Sequence, residues 1–142
     1  MTDAYTAEKY KGEIMQRILI VEEDRVHRNQ MAELLIDAGY SVTATNSGSS
    51  AVYGILKKMT QVVVLGTKCG EMTAVDLVTL MKQCNPKIPI ILVAADISMG
   101  LLRKLRGEGI FYHALKLVDA EDREEVRQAV SCAFETLRLH PA

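Results

Sequence analysis

The sequence predicts a three-layer α/β domain in which a five-stranded parallel sheet is covered by helices on both sides. Three observations indicate this fold. The chain has 142 residues, the size of one ordinary domain, of which 49% are apolar and 25% are charged. Strand-like apolar runs alternate with stretches of helical periodicity, five times in strict order. The apolar runs are unbroken and rich in Ile and Val, as in strands that are buried on both faces.

The first strand is predicted in RILIVEED, where Ile18 to Val21 form an apolar run that ends at three acids. The next stretch is predicted to be a helix that stops at Gly39. Its apolar stripe comprises His27, Met31, Leu34, Leu35 and Ala38. Asp24 precedes this helix, and we favour a capping role for its side chain over a role in metal binding.

The middle of the chain repeats the alternation. YSVTAT predicts the second strand, and SGSSAVYGILKK predicts a helix with Ser47 or Ser49 as its cap. QVVVLG predicts the third strand, followed by a helix in MTAVDLVTLMKQC with Thr73 as a cap. KIPIILVAA predicts the fourth strand, which is entered through Pro89.

The last two helices flank the fifth strand. DISMGLLRKLRGEG predicts a helix shortened by glycines, and IFYHAL predicts the strand. The final helix begins with acids and ends with Arg138 and His140, which suits the helix macrodipole at both ends. Its apolar stripe comprises Val126, Val130, Ala133, Phe134 and Leu137.

Composition argues against several classes of protein. The formal net charge is -1, so the chain lacks the basic character of a nucleic-acid-binding protein. The longest apolar run, Ile88 to Ala95, is far shorter than the roughly 20 residues that cross a bilayer. The N-terminal segment lacks the apolar core of a secretory signal. We therefore expect a cytoplasmic protein that binds neither nucleic acid nor membrane.

The cysteines and histidines form no recognisable site. Cys69, Cys84 and Cys132 are widely spaced and include no CxxC pair, so we expect buried or half-buried thiols in a reducing compartment. The three histidines are scattered, and none belongs to a HExxH pattern or to a Ser-His-Asp order. The sequence therefore predicts no confident metal site.

In a parallel sheet of this kind, ligands bind beyond the carboxyl ends of the strands. The segments predicted there are Glu22 to Asp24, Gly66 to Gly70, Ala94 to Asp96 and Lys116 to Val118. Adjacent carboxylates favour a divalent cation such as Mg²⁺, but Glu22 and Glu23 could equally be solvated side chains. Lys116 could reach toward these acids as their charge partner or toward a phosphoryl group.

In this order, ILIVEED, VVVLG, PIILVAA and YHALK resemble the receiver domain of two-component response regulators. The resemblance covers about Arg17 to Leu139, and the separations between Glu23, Gly66, Ala94 and Lys116 are close to those of the family. It implies a flavodoxin-like fold with strand order 2-1-3-4-5 and a function in phosphorelay signalling.

The resemblance also implies a role for each strand end. In the family, an acid pair binds Mg²⁺, an aspartate after the third strand accepts a phosphoryl group from a histidine kinase, and a hydroxyl and a lysine contact the phosphoryl oxygens. The positions of the acid pair are occupied by Glu22 and Glu23, whose side chains are each one methylene longer than that of aspartate. We therefore expect weak Mg²⁺ binding at best and no other cofactor. The phosphoacceptor falls on Gly66, which has no nucleophile. The position of the hydroxyl residue is occupied by Ala94, which has no hydroxyl, and the lysine is retained as Lys116.

Other positions also depart from the family pattern. The aromatic switch residue falls on His113, which could make its surface sensitive to pH. The proline after the lysine falls on Leu117, where a cis peptide would cost roughly 3 kcal/mol, so we expect a trans bond. Thr67 and Cys69 follow Gly66 but lack a neighbouring base, and we favour ordinary loop roles for both.

The departures at Gly66, Ala94 and Leu117 affect three parts of one reaction. The sequence therefore predicts a pseudo-receiver, a non-enzymatic signalling domain that acts through protein contacts. The resemblance implies that helix 4, strand 5 and helix 5 form its face for another signalling protein or a homodimer. Residues on that face are Leu101, Leu102, Leu105, Phe111, His113 and Val118, although each leucine taken singly is better explained as core.

Two alternatives remain. One is a small flavodoxin-like enzyme or nucleotide-binding protein that uses Glu22, Glu23 and Lys116, although the sequence has no GxGxxG motif and no P-loop. The other is a response regulator phosphorylated on Thr67 or another acceptor.

We expect residues 1–16 to form a leader, residues 17–139 one receiver-like domain, and residues 140–142 a tail. The leader is either disordered or a helix through Ala7, Tyr10 and Ile14. The chain ends at RLHPA, just after the fifth predicted helix, so we expect it to act through another protein.

Overall fold

The structure, a computed structural model, describes residues 15–66, 68–115 and 117–140. Strands and helices alternate along this part of the chain. The strands are β1 (Arg17–Val21), β2 (Ser41–Thr45), β3 (Val62–Leu65), β4 (Ile90–Val93) and β5 (Tyr112–Ala114). The helices are α1 (Arg25–Asp37), α2 (Gly48–Leu56), α3 (Ala74–Cys84), α4 (Met99–Glu108) and α5 (Ala120–Leu139).

The strands form one parallel sheet in the order β2-β1-β3-β4-β5, which confirms the predicted fold class and strand order. Strand β3 lies at the centre, and all four of its residues are buried. Val63 and Leu65 pack into the core on one face of the sheet, and Val62 and Val64 into the core on the other. Because both faces are covered, the central strand reads as an unbroken apolar run.

Two apolar cores result, one on each face of the sheet. The first joins the sheet to α2, α3 and α4 through buried residues such as Ile55, Leu77 and Leu105. The second joins it to α1 and α5, with Leu35 and Val130 fully buried. The predicted apolar stripe of α5 is confirmed. Its members in this core are Val126, Val130, Ala133 and Phe134, with Leu137 partly buried.

Each helix begins after a side chain that accepts a hydrogen bond from the backbone N–H three residues later. The caps are Asp24, Ser47, Thr73, Ser98 and Asp119. The predicted capping roles of Asp24 and Thr73 are confirmed, and Ser47 rather than Ser49 caps α2. His27 does not join the apolar stripe of α1, because it lies in the exposed first turn and its Nδ1 is 3.3 Å from Asp24 Oδ2.

The helix ends also follow local rules, with one exception. Gly39 follows the C-cap of α1 with a φ of 99°, and Gly109 ends α4 with a φ of 97°. Both angles lie in the left-handed region that glycine enters at little cost. The same turn after α2 is made by Lys58, with a φ of 58°. The N–H groups of Lys58 and Met59 bond back to the last turn of α2, as in a Schellman motif.

β5 is shorter than IFYHAL because, at this edge of the sheet, only Tyr112 to Ala114 pair with β4.

The proposed division into residues 1–16, 17–139 and 140–142 stays a prediction, since most of the leader and residues 141–142 lie outside the described residues. Within the described part of the chain, no helix is both long and apolar enough to span a membrane.

Candidate functional site

The carboxyl ends of the strands meet at one edge of the sheet. The register pairs Val21 with Leu65 and Val93 with Ala114. The residues that follow these pairs carry the positions that sequence reasoning selected, namely Glu22, Gly66 and Ala94. Hydrogen bonds continue past the strands here, because Gly66 N donates to Val21 O at 2.8 Å and Ala94 N donates to Ala114 O at 3.0 Å. The structure therefore brings these three positions to one edge.

The side chain of Glu22 turns inward at this edge and is only 3% exposed. Its Oε2 accepts a hydrogen bond from Asp24 N at 2.7 Å. A Cβ atom built on Gly66 would lie 1.8 Å from Glu22 Oε1. Positive φ angles occur at other glycines and not at Gly66, so its backbone does not require glycine. Gly66 instead leaves the space that the Glu22 carboxylate fills.

The acids after β1 diverge rather than converge. Glu23 is exposed, and its backbone N donates to Lys68 O at 2.8 Å. Asp24 accepts from His27 N at 2.9 Å, and this backbone hydrogen bond lowers the pKa of its carboxyl. The expectation that both glutamates could be solvated is therefore wrong for Glu22. Among the described residues, no three His, Cys, Asp or Glu side chains lie together as a metal-binding group.

Arg28 is a contributor that sequence reasoning missed. Its Nη1 donates to the carbonyl oxygens of Glu22 at 3.0 Å and Glu23 at 3.2 Å. Because it lies one turn into α1, it links that helix to the end of β1. An arginine near the start of a helix is too common a feature to have indicated this contact from the sequence.

Ala94 and His113 form a second contact at the edge. Ala94 is 3% exposed and carries no hydroxyl, as the sequence implied. His113 is half-buried, and its Nε2 lies 3.0 Å from Ala94 O. A ring protonated at Nε2 donates to that carbonyl whether or not Nδ1 also carries a proton. Because a carbonyl oxygen can only accept, Nε2 is the donor in this contact.

Cys69 lies in the loop after β3 and is unsuited to nucleophilic chemistry. It is 2% exposed, and its Sγ donates to Gly66 O at 3.7 Å. Burial, together with the nearby charges of Glu22 and Glu23, raises the pKa of the thiol to about 12. A nucleophilic cysteine acts as its thiolate, so this thiol is inert near neutral pH. Cys84 is half-buried as expected, whereas the expectation was wrong for Cys132, which is exposed on α5.

Two glycines that sequence reasoning did not use hold this loop against the loop before α2. Gly70 has a φ of 78°, and a Cβ atom there would lie 2.9 Å from Asn46 O. A Cβ atom on Gly48 would lie 2.7 Å from Met72 Sδ. Gly70 therefore needs glycine both for close packing against backbone and for its backbone angle, whereas a Cβ atom on Gly48 would require the flexible side chain of Met72 to shift. The only signal in the sequence was the glycine that ends VVVLGTKCG.

Two predicted site residues lie outside the described residues, namely Thr67 and Lys116. The role of Lys116 as a charge partner for Glu22 and Glu23 therefore stays a prediction, as does the trans bond expected before Leu117. The same holds for modification of Thr67.

The fold and this edge define a class, the doubly wound α/β proteins whose functional positions lie beyond the carboxyl ends of the strands. Within that class, the chain belongs to the response regulator receiver domain family, whose model matches residues 18–131. Receiver domains are signalling modules of two-component systems, in which they interact with other signalling proteins.

Curated relatives are transcriptional regulators. The transcriptional regulatory protein ZraR of Salmonella typhimurium is 27% identical over 108 residues, which cover 76% of this chain and 24% of that protein. The probable transcriptional regulatory protein TcrX of Mycobacterium tuberculosis is 27% identical over 78 residues, 55% of this chain and 33% of that protein. The chain thus spans about a quarter of the length of ZraR and a third of that of TcrX.

Solved structures agree in fold. The receiver domain of an HD domain-containing protein from Pseudomonas fluorescens has a TM-score of 0.80 at 21% identity, covering 89% of this chain and 100% of that one. A CheY-like receiver domain protein from Methanospirillum hungatei has a TM-score of 0.76 at 18% identity, covering 87% and 99%. The chemotaxis regulator CheY4 of Vibrio cholerae has a TM-score of 0.71 at 22% identity, covering 82% and 99%.

Proposed function

We propose that this chain is an atypical receiver domain that is not phosphorylated on aspartate and that signals through protein-protein contacts. The observation that carries the proposal is the arrangement of Gly66 and Glu22. The position where the family places its phosphoacceptor has no side chain, and the carboxylate of Glu22 fills the space instead. A phosphoryl group has no aspartate to join at this position.

Other residues at the edge support this proposal. Ala94 offers no hydroxyl to a phosphoryl oxygen. The edge also fits Mg²⁺ poorly, because one oxygen of Glu22 is bonded to Asp24 N and the carboxylate lies against Gly66, which leaves Glu23 as the exposed acid. We therefore infer that the chain has no resident Mg²⁺ and no enzymatic activity.

The enzyme alternative has less support. Three cavities, of about 470, 360 and 350 Å³, are lined by described residues other than Glu22 and Glu23. A substrate site built on these glutamates would need an enclosed pocket at the same edge. These three cavities therefore do not favour a substrate site on Glu22 and Glu23.

We place the interaction face on α4, β5 and α5, where apolar side chains remain exposed. These are Met99, Phe111, Tyr112, Leu115 and Val118. The three leucines of α4 contribute little to this face. Leu102 and Leu105 are buried in the core, and Leu101 is partly buried against it. Apart from Met99 in the first turn of α4, the exposed apolar residues therefore lie around β5 and the loop after it.

Charges on the two helices differ in sign and extend this face. The exposed basic residues of α4 are Arg103, Lys104 and Arg106. The first turns of α5 are acidic, with Glu121 and Glu124 exposed and Glu125 bonded to the hydroxyl of Tyr112. Opposite charges on the two helices suit a partner with the reverse arrangement, which includes a second copy of this chain. We propose a signalling protein or a homodimer on this face.

A phosphodonor experiment tests the loss of phosphorylation. The protein and a variant carrying Glu22→Asp, Gly66→Asp and Ala94→Thr are each treated with acetyl phosphate and Mg²⁺, or with beryllium fluoride and Mg²⁺. Amide shifts and intact mass are then recorded. We expect a response at the strand ends only in the triple variant, because shortening Glu22 makes room for the new aspartate. A response at the strand ends of the unaltered protein would overturn the proposal.

The same experiment has an internal control. Gly66→Asp alone keeps the full length of Glu22, whose carboxylate lies where the new side chain must go. We therefore expect a weaker response from it than from the triple variant. An equal response would contradict the role given to Glu22.

A second experiment tests the interaction face. Sedimentation velocity over a range of protein concentrations compares the unaltered chain with Leu115→Ser combined with Val118→Ser. Val26→Ser is the matched control, because Val26 is 62% exposed but lies on α1. If the face binds a second copy, only the double variant lowers the sedimentation coefficient at high concentration. An equal effect of Val26→Ser would place self-association elsewhere.

A further inference from the structure

A groove of about 350 Å³ lies at the opposite edge of the sheet, near the amino ends of the strands. Gln16, Tyr40 and Gln61 each lie just before a strand, and the last turns of α5 form the other wall. The residues that line the groove are Gln16, Tyr40, Gln61, Ser131, Phe134, Glu135, Leu137 and Arg138. None of these residues contributes to the site proposed above.

The floor of the groove is apolar and its rim is polar. The rings of Tyr40 and Phe134 stack with centroids 5.3 Å apart and an angle of 12° between their planes. Leu137 is partly buried beside them. On the rim, Arg138 pairs with Glu135, so the two charges compensate each other. The groove therefore suits an apolar or aromatic side chain that carries no strong charge.

The chain itself enters the described structure at this groove. Gln16 is one of the lining residues, and its carbonyl accepts a hydrogen bond from Ser41 N at 3.0 Å. The next residue is also held there, because Arg17 N donates to Gln61 Oε1 at 2.9 Å. Fourteen further residues precede Met15 in the sequence. Their point of attachment is therefore fixed at the lip of the groove.

We propose that this groove binds the segment of residues 1–14 of the same chain through Tyr10 and Ile14. Both side chains match the apolar floor, and five residues span at most about 18 Å, so Tyr10 lies within reach of the groove from Met15. Covalent connection gives the segment a local concentration on the order of millimolar, so a weak contact suffices to populate the bound state. The charges near Tyr10 are balanced between Glu8, Lys9, Lys11 and Glu13 and suit the compensated rim.

The first test uses the full chain labelled with ¹⁵N. Tyr10→Ser is compared with Tyr5→Ser, a matched tyrosine in the same segment that lies farther from Met15. We expect Tyr10→Ser to shift the amides of Gln61, Ser131 and Glu135, and Tyr5→Ser to leave them unchanged. Shifts confined to the sequence neighbours of residue 10, or equal shifts from both variants, would overturn the proposal.

The reciprocal test fills the groove. Ser131→Tyr places a ring at the lining, whereas Cys132→Tyr places one on the next exposed residue, which does not line the groove. We expect only Ser131→Tyr to move the ring resonances of Tyr10. Both tests are repeated at several protein concentrations, because groove shifts that depend on concentration would show that the segment of another copy binds and would overturn binding within the chain.

Discussion

At the scale of single residues, Glu22 and Gly66 share one space, so we expect their substitutions to be non-additive. Gly66→Ala displaces the Glu22 carboxylate and breaks its bond to Asp24 N, at a cost of about 1–3 kcal/mol. In a Glu22→Ala background the same alanine has room. Urea unfolding of the four proteins should give a favourable coupling energy of at least about 1 kcal/mol. Additive costs within about 0.5 kcal/mol would contradict this account.

Cys69 should make the stability depend on pH above neutrality. Its thiol loses a proton near pH 9.0 in the unfolded chain, whereas burial raises its pKa to about 12 in the folded protein. Between these values the folded state holds more protons than the unfolded state. The contribution of Cys69 to the free energy of unfolding is therefore complete below pH 9.0 and decreases as the pH rises. From pH 8 to 10.5 we expect a loss of about 2 kcal/mol relative to Cys69→Ala, measured by urea unfolding. If the free energy of unfolding changes with pH in parallel for the unaltered protein and Cys69→Ala, this prediction is wrong.

The residue scale also shows what sequence reasoning can and cannot predict at the candidate site. Gly66 and Ala94 lack functional groups by identity alone, so this part of the proposal needs no coordinates. Asp24 was predicted as a cap because capping depends on neighbours in sequence. The inward orientation of Glu22 was not predicted, because it depends on space left by Gly66, which follows another strand.

At the scale of elements, the end of α2 offers a stabilising substitution. Lys58 adopts a φ of 58°, whereas the corresponding turns after α1 and α4 use Gly39 and Gly109. A side chain in the left-handed region costs roughly 1–2 kcal/mol, and the extra conformational freedom of glycine in the unfolded chain offsets roughly 0.5–1 kcal/mol of the gain. We therefore expect Lys58→Gly to raise the free energy of unfolding by about 0.5–1 kcal/mol, seen as a higher urea midpoint with an unchanged slope.

Lys58→Ala is the matched control for that substitution. It removes the same lysine side chain but keeps a Cβ atom, so the strain of the left-handed conformation remains. We expect its stability to equal that of the unaltered protein within about 0.5 kcal/mol. An equal gain from both variants would show that the lysine side chain, and not its backbone angle, limits stability.

Elements were predicted well where their signals are local. Caps and helix stops depend on a few consecutive residues, which is why α1 and α3 start where Asp24 and Thr73 predicted. The length of β5 was not predicted, because IFYHAL has the apolar character of a strand throughout. Its limits depend instead on which residues pair with β4, and only three do so.

At the scale of the whole molecule, the fold was predictable because one physical pattern recurs along the chain. Five apolar runs alternate with helical periodicity, and only a parallel sheet covered on both faces buries all of them. The order of the strands did not follow from that pattern and came from the resemblance to receiver domains. The two cores lie on opposite faces of the same sheet, so both depend on that sheet.

This shared sheet predicts that damage to one core weakens the other. Leu77 on α3 is fully buried in the first core, and Leu77→Ala should cost about 2–5 kcal/mol. Leu80→Ala is the matched control on the same helix, because Leu80 is 39% exposed and should cost less than about 1 kcal/mol. Native-state hydrogen exchange then reports whether unfolding is global. We expect the amide of Val130, in α5 on the opposite face, to lose as much protection as that of Val64 in β3. If Leu77→Ala lowers protection only in α3 and its neighbours, the two cores are separate cooperative units.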